Sequence, residues 1–131
     1  MKNWFNYKGT ISGKTYLYRG LIVGIPLVIV YFLLEEVNYY AGSLFGISMY
    51  IIFFSFRYKR MSAVFKYNID LGKKLFYITV SLDLFLELYY LFNKELAQSD
   101  DFAFIDLITL PSVVFILFIL FKDSGIEKHN G

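Results

Sequence analysis

Residues 57–74 read R-Y-K-R-M-S-A-V-F-K-Y-N-I-D-L-G-K-K, with Arg57, Lys59, Arg60, Lys66, Lys73 and Lys74 set against the single acid Asp70. Apolar, aromatic-rich stretches long enough to cross a bilayer flank this block on both sides. A cationic segment between two such stretches resists translocation, so it decides which side of a membrane everything else occupies. The expected fold is therefore all-α, a polytopic integral membrane protein rather than a soluble domain.

Composition supports that reading. Of 131 residues, 57% are hydrophobic, 21% aromatic and only 18% charged, with mean hydropathy +0.52. Soluble domains carry about 25% charged residues. The length suits one domain. Cysteine is absent, which removes disulfides, thiolate metal sites and cysteine nucleophiles. His129 is the only histidine, so one chain cannot build a histidine zinc cluster.

Outward from the basic block, four spans emerge at about residues 18–34, 39–56, 75–92 and 102–121, the length of each close to the roughly 20 residues a helix needs to cross. The first is read as an uncleaved span rather than a signal peptide, with Arg19 reaching to the interface and Pro26 bending the helix. Glu35 to Asn38 form a tight connection. Ser99, Asp100 and Asp101 look like a helix cap with first-turn acids ahead of Phe102. The stretch after residue 121 reads as a polar tail in which His129 is solvated. Aromatics such as Trp4, Phe5 and Tyr7 alternate with Lys2, Lys8 and Lys14, a pattern suited to lipid headgroups rather than nucleic acid.

Twelve of the thirteen Lys and Arg residues fall on one side of these spans, and only Lys94 falls on the other. Such a bias makes both termini and the basic loop 57–74 cytoplasmic.

Several motifs carry a family resemblance. Tyr7, Gly9, Ser12 and Tyr16 match an opening F-x-G-R-x-S-R-x-x-[YF]-W pattern, with Thr10 and Gly13 where that pattern has arginines. Lys59, Arg60 and Met61 match the first half of an R-R-L-H-D motif, with Ser62 and Ala63 in its second half. Asp123, Asn130 and Gly131 echo a D-x-x-x-G-x-N-x-[YF]-G tail. The chain thus resembles the small bacterial inner-membrane proteins called domain of unknown function 805. The resemblance implies a multi-pass protein of the inner membrane and no particular chemistry.

The third span is the unusual one. Thr79, Asp83, Glu87, Tyr90 and Lys94 recur at three- and four-residue steps and so share one helix face. Asp83 falls near the bilayer midplane, where an aspartate costs roughly 2.5–3.5 kcal/mol on insertion scales. Asp106, Thr109 and Ser112 on the fourth span reach matching depths, and Pro111 leaves the Leu107 carbonyl without its helical donor. No Lys or Arg is expected beside these acids. At least one of Asp83, Glu87 and Asp106 is then expected to be neutral at neutral pH, hydrogen-bonding across helices to a group such as Tyr50 or Ser48.

Two glycine pairs, Gly20 with Gly24 and Gly42 with Gly46, have the small-xxx-small spacing that lets helices approach closely. The basic side chains of residues 57–74 are expected to set topology and to meet lipid headgroups or an acidic partner. No phosphate loop, metalloprotease helix or serine-hydrolase elbow is present, so an enzyme, a cofactor and a metal are not expected. The expected role is that of an accessory or scaffolding subunit acting through helix contacts with itself or a larger membrane complex. The alternative is an oligomeric proton or cation pathway along the intramembrane carboxylates.

Overall fold

The computed structural model describes residues 4–5, 7–99 and 104–130. The aspartates Asp100 and Asp101, with Phe102, Lys2 and Gly131, lie outside the described residues. All regular structure described is helical: α1 (Gly13–Val37), α2 (Tyr39–Val64), α3 (Ile69–Phe92), the short α4 (Lys94–Ala97), a 3-10 segment (Phe104–Thr109) and α5 (Leu110–Phe121). Four stretches are long and apolar enough to cross a membrane, Gly13–Val37, Tyr39–Val64, Ile69–Phe92 and Phe104–Phe121.

Capping residues explain where the helices start. Ser12 accepts a hydrogen bond from the Thr15 amide and so caps α1. Asn38 alone separates α1 from α2, and its side-chain oxygen accepts from the amides of Tyr40 and Ala41. Asn68 caps α3 in the same way through the Leu71 amide. Pro26 does not end α1, which continues through it. Pro111 is the second residue of α5, where a missing N–H removes no intrahelical bond. The fourth span changes helix type just ahead of the proline, from 3-10 to α.

The largest departure from the sequence reading is at residues 57–74. They are not a loop. Helix α2 runs on to Val64 and α3 begins at Ile69, so only four residues turn the chain. Gly72 makes the tight hairpin possible, because a side chain there would meet Met61 Sδ at 2.6 Å and Phe65 Cβ at 2.7 Å.

The bundle has two unlike halves. Nearer the termini, Phe54, Met61, Phe76, Phe115 and Ile119 form a core shared by α2, α3 and α5. Phe76 stands edge-on to Tyr58 at 5.2 Å and to Phe54 at 6.4 Å. Arg60 fastens the rest of this end. Its guanidinium donates to the carbonyls of Ile119 at 2.6 Å and Ile11 at 3.2 Å, and to that of Lys122. A cation at the C-terminus of α5 satisfies end carbonyls that have no helical donor and complements the helix dipole.

The tail folds over the same end rather than lying free. Lys66 donates to the Gly125 carbonyl at 3.0 Å, the Thr10 amide donates to Asn130 Oδ1 at 3.1 Å, and His129 Nδ1 lies 3.2 Å from Thr10 Oγ1. The N-terminal segment packs on α2, with Phe5 against Phe56 and Tyr7 against Tyr58.

Helix α1 meets α2 through glycines. A side chain at Gly24 would meet the Phe53 ring at 3.3 Å, one at Gly46 the Tyr31 ring at 3.1 Å, and one at Gly42 the Glu35 Cα at 2.8 Å. Gly20 faces open space. Two further close approaches lie at Gly72, which has no small residue four positions away, and where Gly13 faces the Leu120 carbonyl, its spacing partner Gly9 standing outside the helix.

Gly42→Ala sets a methyl against backbone that cannot turn aside, and overpacking of this kind costs about 1–3 kcal/mol. Denaturant titration in micelles is expected to show that loss for Gly42→Ala and none for Gly20→Ala. Burial, and to a lesser degree the charge of Arg60, holds the His129 imidazole below its ordinary 6.5. The folded tail then favours the neutral ring, so its contribution to stability is complete above 6.5 and is lost as pH falls below it. The hydrogen-exchange protection factors of residues 124–130, taken relative to intrinsic exchange at each pH, should fall below that pH in the native chain and stay level in His129→Asn.

Candidate polar cavity

Helices α2 and α3 run antiparallel, and every side chain leans toward the N-terminus of its own helix. The N-terminus of α2 lies at the end remote from the chain termini, and that of α3 lies near them. Side chains on the facing surfaces therefore lean toward each other along the bundle axis. Phe76 is level with Tyr58, and Asp83 stands two turns, about 10 Å, further along α3. Arg57 leans up and Asp83 leans down, and the gap closes. Arg57 Nη1 donates to Asp83 Oδ2 at 2.8 Å, with both side chains almost wholly buried, 6% and 7% exposed.

This ion pair corrects the expectation that no cation neutralises the acids of the third span. It also moves Arg57 out of the headgroup set, and Lys59 and Arg60 leave with it. Those three residues are 5%, 0% and 3% exposed respectively. Lys66 binds the tail, Lys74 is exposed and Lys73 is partly so. Arg19, expected at the interface, is buried beneath the Trp4 ring at 4.7 Å.

The same leaning geometry joins Tyr50 to Glu87, whose Oε1 accepts from the Tyr50 hydroxyl at 3.1 Å. Ser48, the other partner considered for these acids, donates instead to the Leu44 carbonyl of its own helix. Further along, the Tyr90 hydroxyl donates to Asp106 Oδ1, and the Tyr39 hydroxyl donates to the Tyr90 carbonyl. Thr79 and Thr109 turn their hydroxyls to the Phe76 and Asp106 carbonyls of their own helical segments. Ser112 crosses between helices to reach the Thr79 carbonyl at 2.9 Å. The predicted polar face of Thr79, Asp83, Glu87, Tyr90, Asp106 and Thr109 thus lies at the junction of α2, α3 and the fourth span.

Beside this junction is a cavity of about 610 Å³. Its lining runs from Tyr16 to Tyr31 on α1, four turns or about 22 Å. Opposite α1 it is lined by Tyr50, Arg57, Asp83, Glu87, Thr109 and Ser112. Met49, Phe53, Val113 and Ile116 supply apolar wall. Val28 and Val113, which also line it, are 43% and 47% exposed, so the cavity opens sideways between α1 and α5. Arg57 Nε has no hydrogen-bond partner among the described residues, while the Tyr16 hydroxyl lies beside the guanidinium.

Sequence pattern alone identified the acids but missed Arg57, Tyr16 and Tyr31. Spacing along a backbone gives a residue's depth but not the lean of two side chains over two turns. No family model, curated protein or solved structure matches the chain.

Breaking a buried pair by removing one partner leaves an uncompensated charge and costs about 3–5 kcal/mol. Arg57→Met and Asp83→Leu are each expected to lose that much stability in a detergent unfolding titration. The double variant is expected to regain most of it, because no charge is then stranded.

Proposed function

We propose that the chain is a small multi-pass protein of a bacterial inner membrane, with both termini and the basic end cytoplasmic. It acts as an accessory or scaffolding subunit through helix contacts with itself or a larger membrane complex. The twelve-to-one distribution of Lys and Arg supports the orientation. The resemblance of Tyr7, Gly9, Ser12 and Tyr16, and of Lys59 to Met61, to domain of unknown function 805 supports the compartment.

The observation that carries the subunit reading is how little of α1 its own bundle covers. Of its 25 residues only Arg19 and Gly24 are buried. Leu21, Ile25, Ile29, Phe32 and Leu33 all point outward. These five side chains fall within about 120° of one another around the helix, one continuous apolar face on which another helix can pack.

The cavity supports a second reading, a proton or cation pathway through Asp83, Glu87 and Asp106. Arg57 counts against it, because a fixed guanidinium in a pore is a barrier to cations. Proton flux in liposomes that disappears in Asp83→Asn with Glu87→Gln would favour the pathway.

Ile25→Trp separates association from folding, since Ile25 stands in the middle of the outward face, 58% exposed. It is expected to abolish co-purification of the partner or second copy in mild detergent. Stability should stay within about 0.5 kcal/mol of the native chain, as for other surface substitutions. Assembly that survives Ile25→Trp would count against α1 as the contact helix.

A further inference from the structure

The cavity is built like a ligand site. Pockets for small molecules are typically about 300–1,000 Å³, mostly apolar, with a few convergent polar groups. This one, at about 610 Å³, has apolar wall from α1, α2 and α5 and a short polar strip on the opposite side.

The charges of that strip select the ligand. Arg57 and Asp83 cancel each other across 2.8 Å. Glu87 does not belong to that balance. Among the described residues it has one hydrogen-bond donor, Tyr50 through Oε1, and no cationic partner. The cavity therefore carries one acid that no cation among the described residues balances, part-way up a largely apolar chamber, and a bound cation would hold it ionised. Four aromatic rings, Tyr16, Tyr31, Tyr50 and Phe53, share its lining with Glu87, and aromatic faces attract organic cations. The lateral opening beside Val28 and Val113 leads to the apolar surface of the bundle rather than to either end.

The geometry points to a binding site for a membrane-partitioning organic cation, an apolar body with a single positive charge, held by Glu87 and entering between α1 and α5. This site goes beyond the subunit reading and does not depend on it. A neutral lipid tail would fill the apolar wall but would leave the Glu87 carboxylate unmatched. An organic anion would be opposed by that carboxylate.

Equilibrium dialysis of the full chain in lipid nanodiscs against tetraphenylphosphonium tests the site, with neutral triphenylphosphine oxide as the comparison ligand. The expected result is saturable binding at one cation per chain and at least about tenfold weaker binding in Glu87→Gln, the scale of a lost contact to a charged group. Ile116→Trp, which fills the cavity from α5 and leaves Glu87 in place, is expected to abolish binding. Glu36→Gln, at an exposed acid remote from the cavity, is expected to change nothing. Circular dichroism and monodisperse elution establish that each variant is folded. If Glu87→Gln does not fold, the Ile116→Trp arm and the neutral ligand decide the matter. Non-saturable uptake, equal binding of the neutral ligand, or binding undiminished in a folded Glu87→Gln or Ile116→Trp would each overturn the proposal.

Discussion

A buried charge in an apolar bundle must find its opposite, and the bundle is arranged around the place where Arg57 finds Asp83. Removing two charged groups from water is costly, and their attraction offsets that cost only in good geometry. Here the geometry comes from backbone direction. Antiparallel helices joined by a four-residue turn lean their side chains toward one another, and the lean carries Arg57 two turns along the bundle to Asp83. A register shift between α2 and α3 would strand both charges. The pair thus pins the hairpin, and Tyr50 on Glu87 repeats the same device one step further from the termini.

That pin also divides the molecule. On the side nearer the termini, aromatic packing around Phe76 and the three carbonyls gathered by Arg60 make a closed end. The tail and the N-terminal segment fold onto that end. On the other side α1 touches α2 through Gly24, Gly42 and Gly46, and the fourth span begins as a 3-10 segment. Between them a cavity is left open. Rigid chemistry at one end and open volume in the middle follow from where the polar residues fall on four mostly apolar helices.

Much of this was legible in the sequence, and the misses share one physical origin. Hydropathy and charge bias found the four apolar stretches, and three- and four-residue steps found the face of Thr79, Asp83 and Glu87. The basic stretch reads as a loop because cations ordinarily seek water or headgroups. Nothing in a hydropathy count says that Arg57, Lys59 and Arg60 sit on one continuing helix and turn inward. Arg60 could not be paired from sequence, since its acceptors are backbone carbonyls of Ile11, Ile119 and Lys122, which every residue type offers. Gly13 and Gly72 escape for a related reason: Gly72 has no small residue at the usual spacing, Gly9 precedes Gly13 outside any apolar stretch, and only the folded chain shows what each one faces.

The central claim is that Arg57 turns inward to Asp83 rather than outward to lipid. Solid-state NMR dipolar recoupling in bilayers reads it directly, from guanidinium nitrogen to carboxylate carbon and from the same nitrogen to lipid phosphorus. A nitrogen–carbon coupling of hydrogen-bonded strength that vanishes in Asp83→Leu is expected, with no coupling of Arg57 to phosphorus. A phosphorus coupling at Arg57, with none to the Asp83 carboxylate, would contradict it.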